Sequence, residues 1–99
     1  METMEQLEEF WAKTEDEEFL KFDRVQNKRH RRHDINGMIL LDELIGEDVP
    51  HSIIGGAAHD EIFLDGGLEE LLPKLTEDVV TDLIRCGVRI QDGGFQMYA

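Results

Sequence analysis

Ninety-nine residues with 23 acids against 10 bases, a formal charge of −13, allow one domain with a modest core, because a chain of this size buries only about two thirds of its unfolded surface. Hydrophobic residues at 40 % are enough to exclude wholesale disorder. The acidity disfavours bare nucleic acid and an anionic membrane as partners and favours a basic protein surface, although charge of this kind also simply keeps a small protein soluble.

In chain order, Thr3-Met4-Glu5-Gln6 fits a capping box, and the spacing predicts a helix from about Met4 to Lys13 with Leu7, Phe10 and Trp11 on one face. Thr14-Glu15-Asp16-Glu17 is a second capping box. It fits either a restart of the helix at Glu15 or one long helix; a break is favoured, giving a second helix with Phe19, Phe22 and either Val25 or Gln26 as its stripe. Most of the aromatic residues lie in these two segments, which are therefore expected to pack on the rest of the chain.

Charge is segregated along the sequence. Residues 1–20 carry a net −7, residues 21–33 a net +5 and residues 34–99 a net −11. The basic block, with Lys28, Arg29, Arg31 and Arg32 at its centre, is placed at a helix end, where cations complement the dipole. Pairing with the acidic regions on either side, a solvated helix end, a phosphate contact and a patch for an acidic protein are all consistent with it. It lacks the interleaved aromatics of a stacking platform.

Asp34-Ile35-Asn36-Gly37 reads as a turn. Met38, Leu41, Leu44 and Ile45 then form a helical stripe stopped by Gly46. With Ile39 and Leu40 this helix is apolar nearly all round, which makes it either central to the core or a contact for self-association. Residues 47–58 are expected to be a loop, with Gly55-Gly56-Ala57-Ala58 as a flexible connection.

The segment 59–98 has the clearest pattern. His59 to Asp65 reads as a strand, and Gly66-Gly67 leads into a helical segment with Leu68, Leu71, Leu72 and Leu75. Thr76 caps a further helix with Val79, Val80, Leu83 and Ile84 as its stripe and Gly87 beyond its end. Val88–Gln91 and Phe95–Tyr98 alternate around Asp92-Gly93-Gly94, a hairpin signal. The expected fold is one α+β domain over 1–99. Its helical part is 1–46, its loop 47–58, and its strand-helix-helix-hairpin module 59–98 holds a small, mostly antiparallel sheet.

Candidate chemistry is sparse. The single Cys86 excludes an internal disulfide and a multi-cysteine zinc site and reads as a small buried hydrophobe. No apolar run approaches the roughly 20 residues of a membrane span, and the acidic N-terminus does not fit a secretory signal, so the expected compartment is the reducing cytoplasm. Ser52, the sole serine, lacks a glycine elbow. His33-Asp34 and His59-Asp60, with His30 three residues before His33 on the same predicted helix face, resemble the metal-binding dipeptides of His-Asp phosphohydrolases, a resemblance that implies a divalent ion activating water. The predicted strands depart from the all-helical domains of that family, and Arg31 and Arg32 oppose a bound cation. No cofactor and no catalytic residue is expected.

Glu61-Ile62-Phe63-Leu64, Leu75 to Val79, Leu83 to Val88 and the terminal Gly94-Phe95-Gln96-Met97-Tyr98 resemble the small uncharacterised acidic open reading frames of phages and mobile elements. That resemblance implies action by binding other proteins. The expected function is accordingly that of a non-enzymatic interaction module for a basic protein surface, one that otherwise binds nucleic acid being one case (a phage-type modulator or nucleic-acid mimic). Its contacts would be the carboxylates of Glu8, Glu9, Glu15, Asp16, Glu17 and Glu18, or those of Glu69, Glu70, Glu77, Asp78 and Asp82. A homo-oligomeric structural protein is the alternative, and a metal-dependent phosphohydrolase acting through the His-Asp pairs is the second.

Overall fold

Thr3 starts the first helix as the sequence requires: its Oγ1 accepts the Gln6 N–H at 3.1 Å, and Gln6 Oε1 accepts the Glu2 N–H at 3.2 Å. In the computed structural model, which describes residues 2–46, 54–58, 61–64, 68–91 and 94–98, this helix (α1) runs Met4–Glu18. The expected break at Thr14 does not occur, and no second helix follows over 15–26. The face that buries Leu7 and Trp11 continues one turn on through Glu15 and Glu18, which meet Arg89 and Arg85. That continuity outweighs a second local cap. The chain turns instead at Leu20, which has φ 61° and donates its N–H to Ile84 O at 3.2 Å. A short 3-10 turn, Phe22–Arg24, follows.

The basic block is likewise not a helix end. Residues 25–32 form neither helix nor strand. The second helix (α2) runs His33–Ile45, so the expected turn over Asp34–Gly37 lies inside it. Asn36 and Gly37 are buried there. Gly37 has a packing reason: a Cβ built on it would stand 2.5 Å from Met97 Cε and 3.1 Å from Cys86 Cβ, so its absence lets α2 close on the sheet. Leu40, Leu41 and Ile45 are buried, which makes this helix part of the core. Gly46, at φ 74°, ends it.

Where a loop is expected, Ile54–Ala58 is a strand (β1). Its glycines and alanines carry little strand propensity, and it owes its form to antiparallel pairing with β2, Glu61–Leu64. A bulge interrupts the register between Ile54 and Gly56. Then come α3 (Leu68–Leu71), a 3-10 turn (Leu72–Lys74), α4 (Glu77–Arg85), β3 (Val88–Gln91) and β4 (Gly94–Tyr98), matching the strand-helix-helix-hairpin reading. Thr76 Oγ1 accepts the Val79 N–H at 3.3 Å, and Gly87 takes φ 91° beyond the helix end.

The sheet has the order β1-β2-β4-β3 and is antiparallel throughout, so the fold is α+β. Val88 pairs with Met97, and Ile90 with Phe95. The buried members of these pairs, Val88, Met97 and Phe95, face α2 and α4, which pack on β4 and β3, while α1 lies along α4. Trp11 joins α1 to the sheet, its ring 6.4 Å from that of Phe95 and tilted by 46°. Such a pair contributes about 0.5–1.5 kcal/mol beyond its buried area. No helix among the described residues is long and apolar enough to cross a membrane.

Candidate functional site

The eleven carboxylates expected to bind a partner divide by environment. Three are engaged within the molecule. Glu15 Oε1 lies 2.7 Å from Arg89 Nε, an ion pair without good hydrogen-bond alignment, and the Arg89 guanidinium also lies over Phe19 at 4.4 Å. Glu18 takes Arg85 Nε at 2.8 Å and Arg24 Nη1 at 3.2 Å. Its carboxyl lies below the usual carboxylate range, first because of the Arg85 hydrogen bond; burial opposes this next, and the charges of Arg85 and Arg24 add to the lowering. Asp82 is only 3 % exposed and accepts the N–H groups of Gln26 at 3.0 Å and Asn27 at 3.1 Å. Its position next to Leu83 and Ile84 reads as an outer face. The folded chain turns it inward because the loop after the 3-10 turn brings two backbone donors that need an acceptor.

Six are exposed or lie in exposed turns. Glu8, Glu9, Asp16 and Glu17 on α1 and Glu77 and Asp78 on α4 are all exposed, and none forms an ion pair among the described residues. The side chains of Glu69 and Glu70 lie outside the described residues. At 100° per residue, Glu8, Glu9 and Asp16 share an arc of about 100° with a further exposed acid, Glu5. Over the roughly 16 Å from Glu5 to Asp16 along the axis, this outer face is anionic. Glu5 was legible from the same helical periodicity that places the other three.

The two acidic elements meet. Glu9, Phe10 and Lys13 of α1 and Glu77 of α4 line one shallow groove of about 440 Å³, with Gln6. Glu77 and Asp78 also occupy the first turn of α4, where a carboxylate favours the positive helix end by about 0.3–1 kcal/mol. Their charge therefore has a local role as well as an outward one.

The histidine and aspartate ligands considered for a metal are held apart. His30 lies on the loop and His33 at the first position of α2, so they do not share a helix face as expected. His30 Nδ1 accepts the Arg32 N–H at 3.1 Å, His33 Nδ1 lies 2.9 Å from Cys86 O, and Asp34 Oδ1 accepts the Ile35 N–H at 2.9 Å. His59 and Asp60 fall outside the described residues. No group of three His, Cys, Asp or Glu side chains converges among the described residues. Cys86 is buried, with its Sγ 3.4 Å from Asn36 Nδ2. Burial pushes the thiol up to about 11 and the Asp82 charge adds to that, against the lowering effect of the Asn36 hydrogen bond. A thiol held protonated in this way does not serve as a nucleophile at neutral pH.

A polar seam that periodicity does not mark stands out. Asn36, fully buried, accepts the N–H groups of Arg29 and His30 on Oδ1 and donates from Nδ2 to Asn27 O at 3.3 Å. Together with Asp82 it holds the basic loop against α2 and α4. A polar residue between Ile35 and Gly37, on the inward side of a helix, is the one sequence signal that could have pointed to it.

Comparison with protein-family models, with curated proteins and with solved structures finds no match.

Proposed function

We propose that this chain is a small acidic interaction module, a binding protein rather than an enzyme, whose partner presents a basic protein surface. One observation carries the reading: Glu5, Glu8, Glu9 and Asp16 lie exposed on a single arc of α1, without a basic partner among the described residues, while Glu15, Glu18 and Asp82 are engaged by cations or backbone donors. Glu9 and Glu77 extend this surface across the groove to α4. A face of this kind attracts a cationic partner over about a Debye length, roughly 10 Å at 0.1 M salt, and raises the association rate more than the affinity. A basic surface that otherwise binds nucleic acid is one such partner; the likeness to small acidic phage proteins implies binding to other proteins.

The test is affinity capture from the source cell with the wild-type chain and with E5Q/E8Q/E9Q/D16N, read by mass spectrometry at 50 and 300 mM salt. The substituted side chains are exposed, so the variant should retain the wild-type circular dichroism. The reading expects basic proteins on the wild-type chain, reduced by the variant and by salt. The same proteins on both chains, or no basic protein on either, would end it.

A further inference from the structure

The strongest unassigned feature is the loop 26–32. Four of its backbone N–H groups, those of Gln26, Asn27, Arg29 and His30, donate to the buried side chains of Asp82 and Asn36. Buried polar groups are costly unless paired, so the core commits two of them to fixing a segment that has no regular structure. What the fixed loop presents is positive charge. Four arginines are engaged: outside the loop Arg24 and Arg85 with Glu18 and Arg89 with Glu15, and within it Arg29 with Glu43 at 3.3 Å. Lys28, Arg31 and Arg32 are exposed and have no carboxylate partner among the described residues. Lys28 lies over the Phe22 ring at 5.2 Å, a contact that leaves its charge in place.

Beside the loop is a notch of about 140 Å³. Leu40, Leu44 and Val79 give it an apolar lining, which Asn27 and Arg29 of the loop complete with Glu43 and Asp82, two carboxylates already taken up by Arg29 and by the loop's N–H groups. It is too small for a cofactor or metabolite, whose sites run to about 300–1,000 Å³, and suits one aliphatic side chain. We propose that the loop and the notch together bind a short acidic peptide segment of another protein. Its apolar residue would enter the notch, and flanking carboxylates would pair with Lys28, Arg31 and Arg32. Charge-assisted pairs to arginine give such a segment both strength and orientation. Nucleic acid is the less suitable occupant. The net charge of −13 repels a long polyanion, and the aromatic beside the loop, Phe22, is half-buried beneath Lys28 and offers no open stacking face.

The test begins with selection of a random 12-residue peptide display library on the full chain, followed by fluorescence anisotropy of the most enriched peptide. Enrichment of sequences with Leu, Ile or Phe flanked by at least two acids is expected. R31E/R32E should weaken the binding of that peptide at least tenfold. L44F, which narrows the notch, should do the same while circular dichroism stays unchanged. E5Q/E8Q/E9Q/D16N should leave it intact, which separates this site from the acidic face of α1. Enrichment without acids, or equal affinity for R31E/R32E, overturns the proposal. So does a 12-nucleotide single-stranded DNA that binds more tightly than the peptide, which would assign the loop to nucleic acid.

Discussion

Arg85 Nε stands 2.8 Å from Glu18 Oε2, joining the last turn of α4 to the last turn of α1. Both side chains are 16 % exposed. Arg85 also donates from Nη1 to Arg24 O at 2.9 Å, so one guanidinium holds the end of α1 and the turn after it. The pair gives stability a pH dependence of definite sign. The Glu18 carboxyl lies below its ordinary value of 4.5 in the folded chain. Its contribution is therefore complete above that pH and is lost as the pH falls through the lower folded value. Urea midpoints measured from pH 7 to pH 3 should fall less steeply below pH 4.5 for Glu18→Gln than for the wild type. Parallel curves would mean that the pair does not couple to folding.

Asp82→Ala removes the acceptor for two backbone N–H groups that lie 3.0 and 3.1 Å from its carboxylate. Both hydrogen bonds are part-buried, and an unmet donor costs up to about 1–3 kcal/mol when fully buried, so a loss of roughly 1–3 kcal/mol in all is expected. Asp82→Asn retains one acceptor and should cost less. Chemical unfolding gives the ordering. An alanine variant within about 0.5 kcal/mol of the wild type would show that water can replace the side chain.

Gly37→Ala sets two effects against each other. Alanine in a helix interior is favoured over glycine by about 0.5–1 kcal/mol, but the new Cβ would stand 2.5 Å from Met97 Cε and 3.1 Å from Cys86 Cβ. Met97 and Cys86 are fully buried, so neither moves away freely, and overpacking costs about 1–3 kcal/mol. A net destabilisation of about 1–2 kcal/mol is expected in urea. A more stable variant would show that the Met97 methyl finds another position.

Cys86 should be unreactive while the chain is folded. With its thiol pushed up to about 11, the thiolate fraction at pH 7 is on the order of one in ten thousand, and the sulfur is buried. A disulfide reagent should therefore label it at the rate of unfolding in buffer and rapidly in denaturant. Fast labelling of the folded chain would contradict the burial.

The parts of the fold legible in the sequence are those fixed by neighbours in the chain. Thr3 and Thr76 cap their helices, Gly46 and Gly87 end theirs, and the alternation of Val88–Gln91 and Phe95–Tyr98 becomes a hairpin. The misreadings involve partners that no helical or strand period brings together, whether a few residues away or more than sixty. Thr14 looks like a cap until Glu15 and Glu18 find Arg89 and Arg85. Gly55 and Gly56 look like a flexible connection until β2 pairs beside them. Asn36 looks like a turn residue until the loop at Asn27 to His30 folds over it. The candidate site follows the same rule. Exposed acids on α1 could be placed from the helical period, whereas the inward turn of Asp82 depends on donors 55 and 56 residues away.

Leu20 and Gly87 carry one more consequence. Leu20 holds a positive φ without being glycine, and a Cβ on Gly87, itself at φ 91°, would lie 2.8 Å from Leu20 Cδ2. The contact with Leu20 is the lesser barrier, since it is made by the end of a flexible side chain, whereas the left-handed backbone strains any side chain at position 87 even where room is made for it. Under genetic drift position 87 is therefore expected to stay glycine whatever stands at position 20.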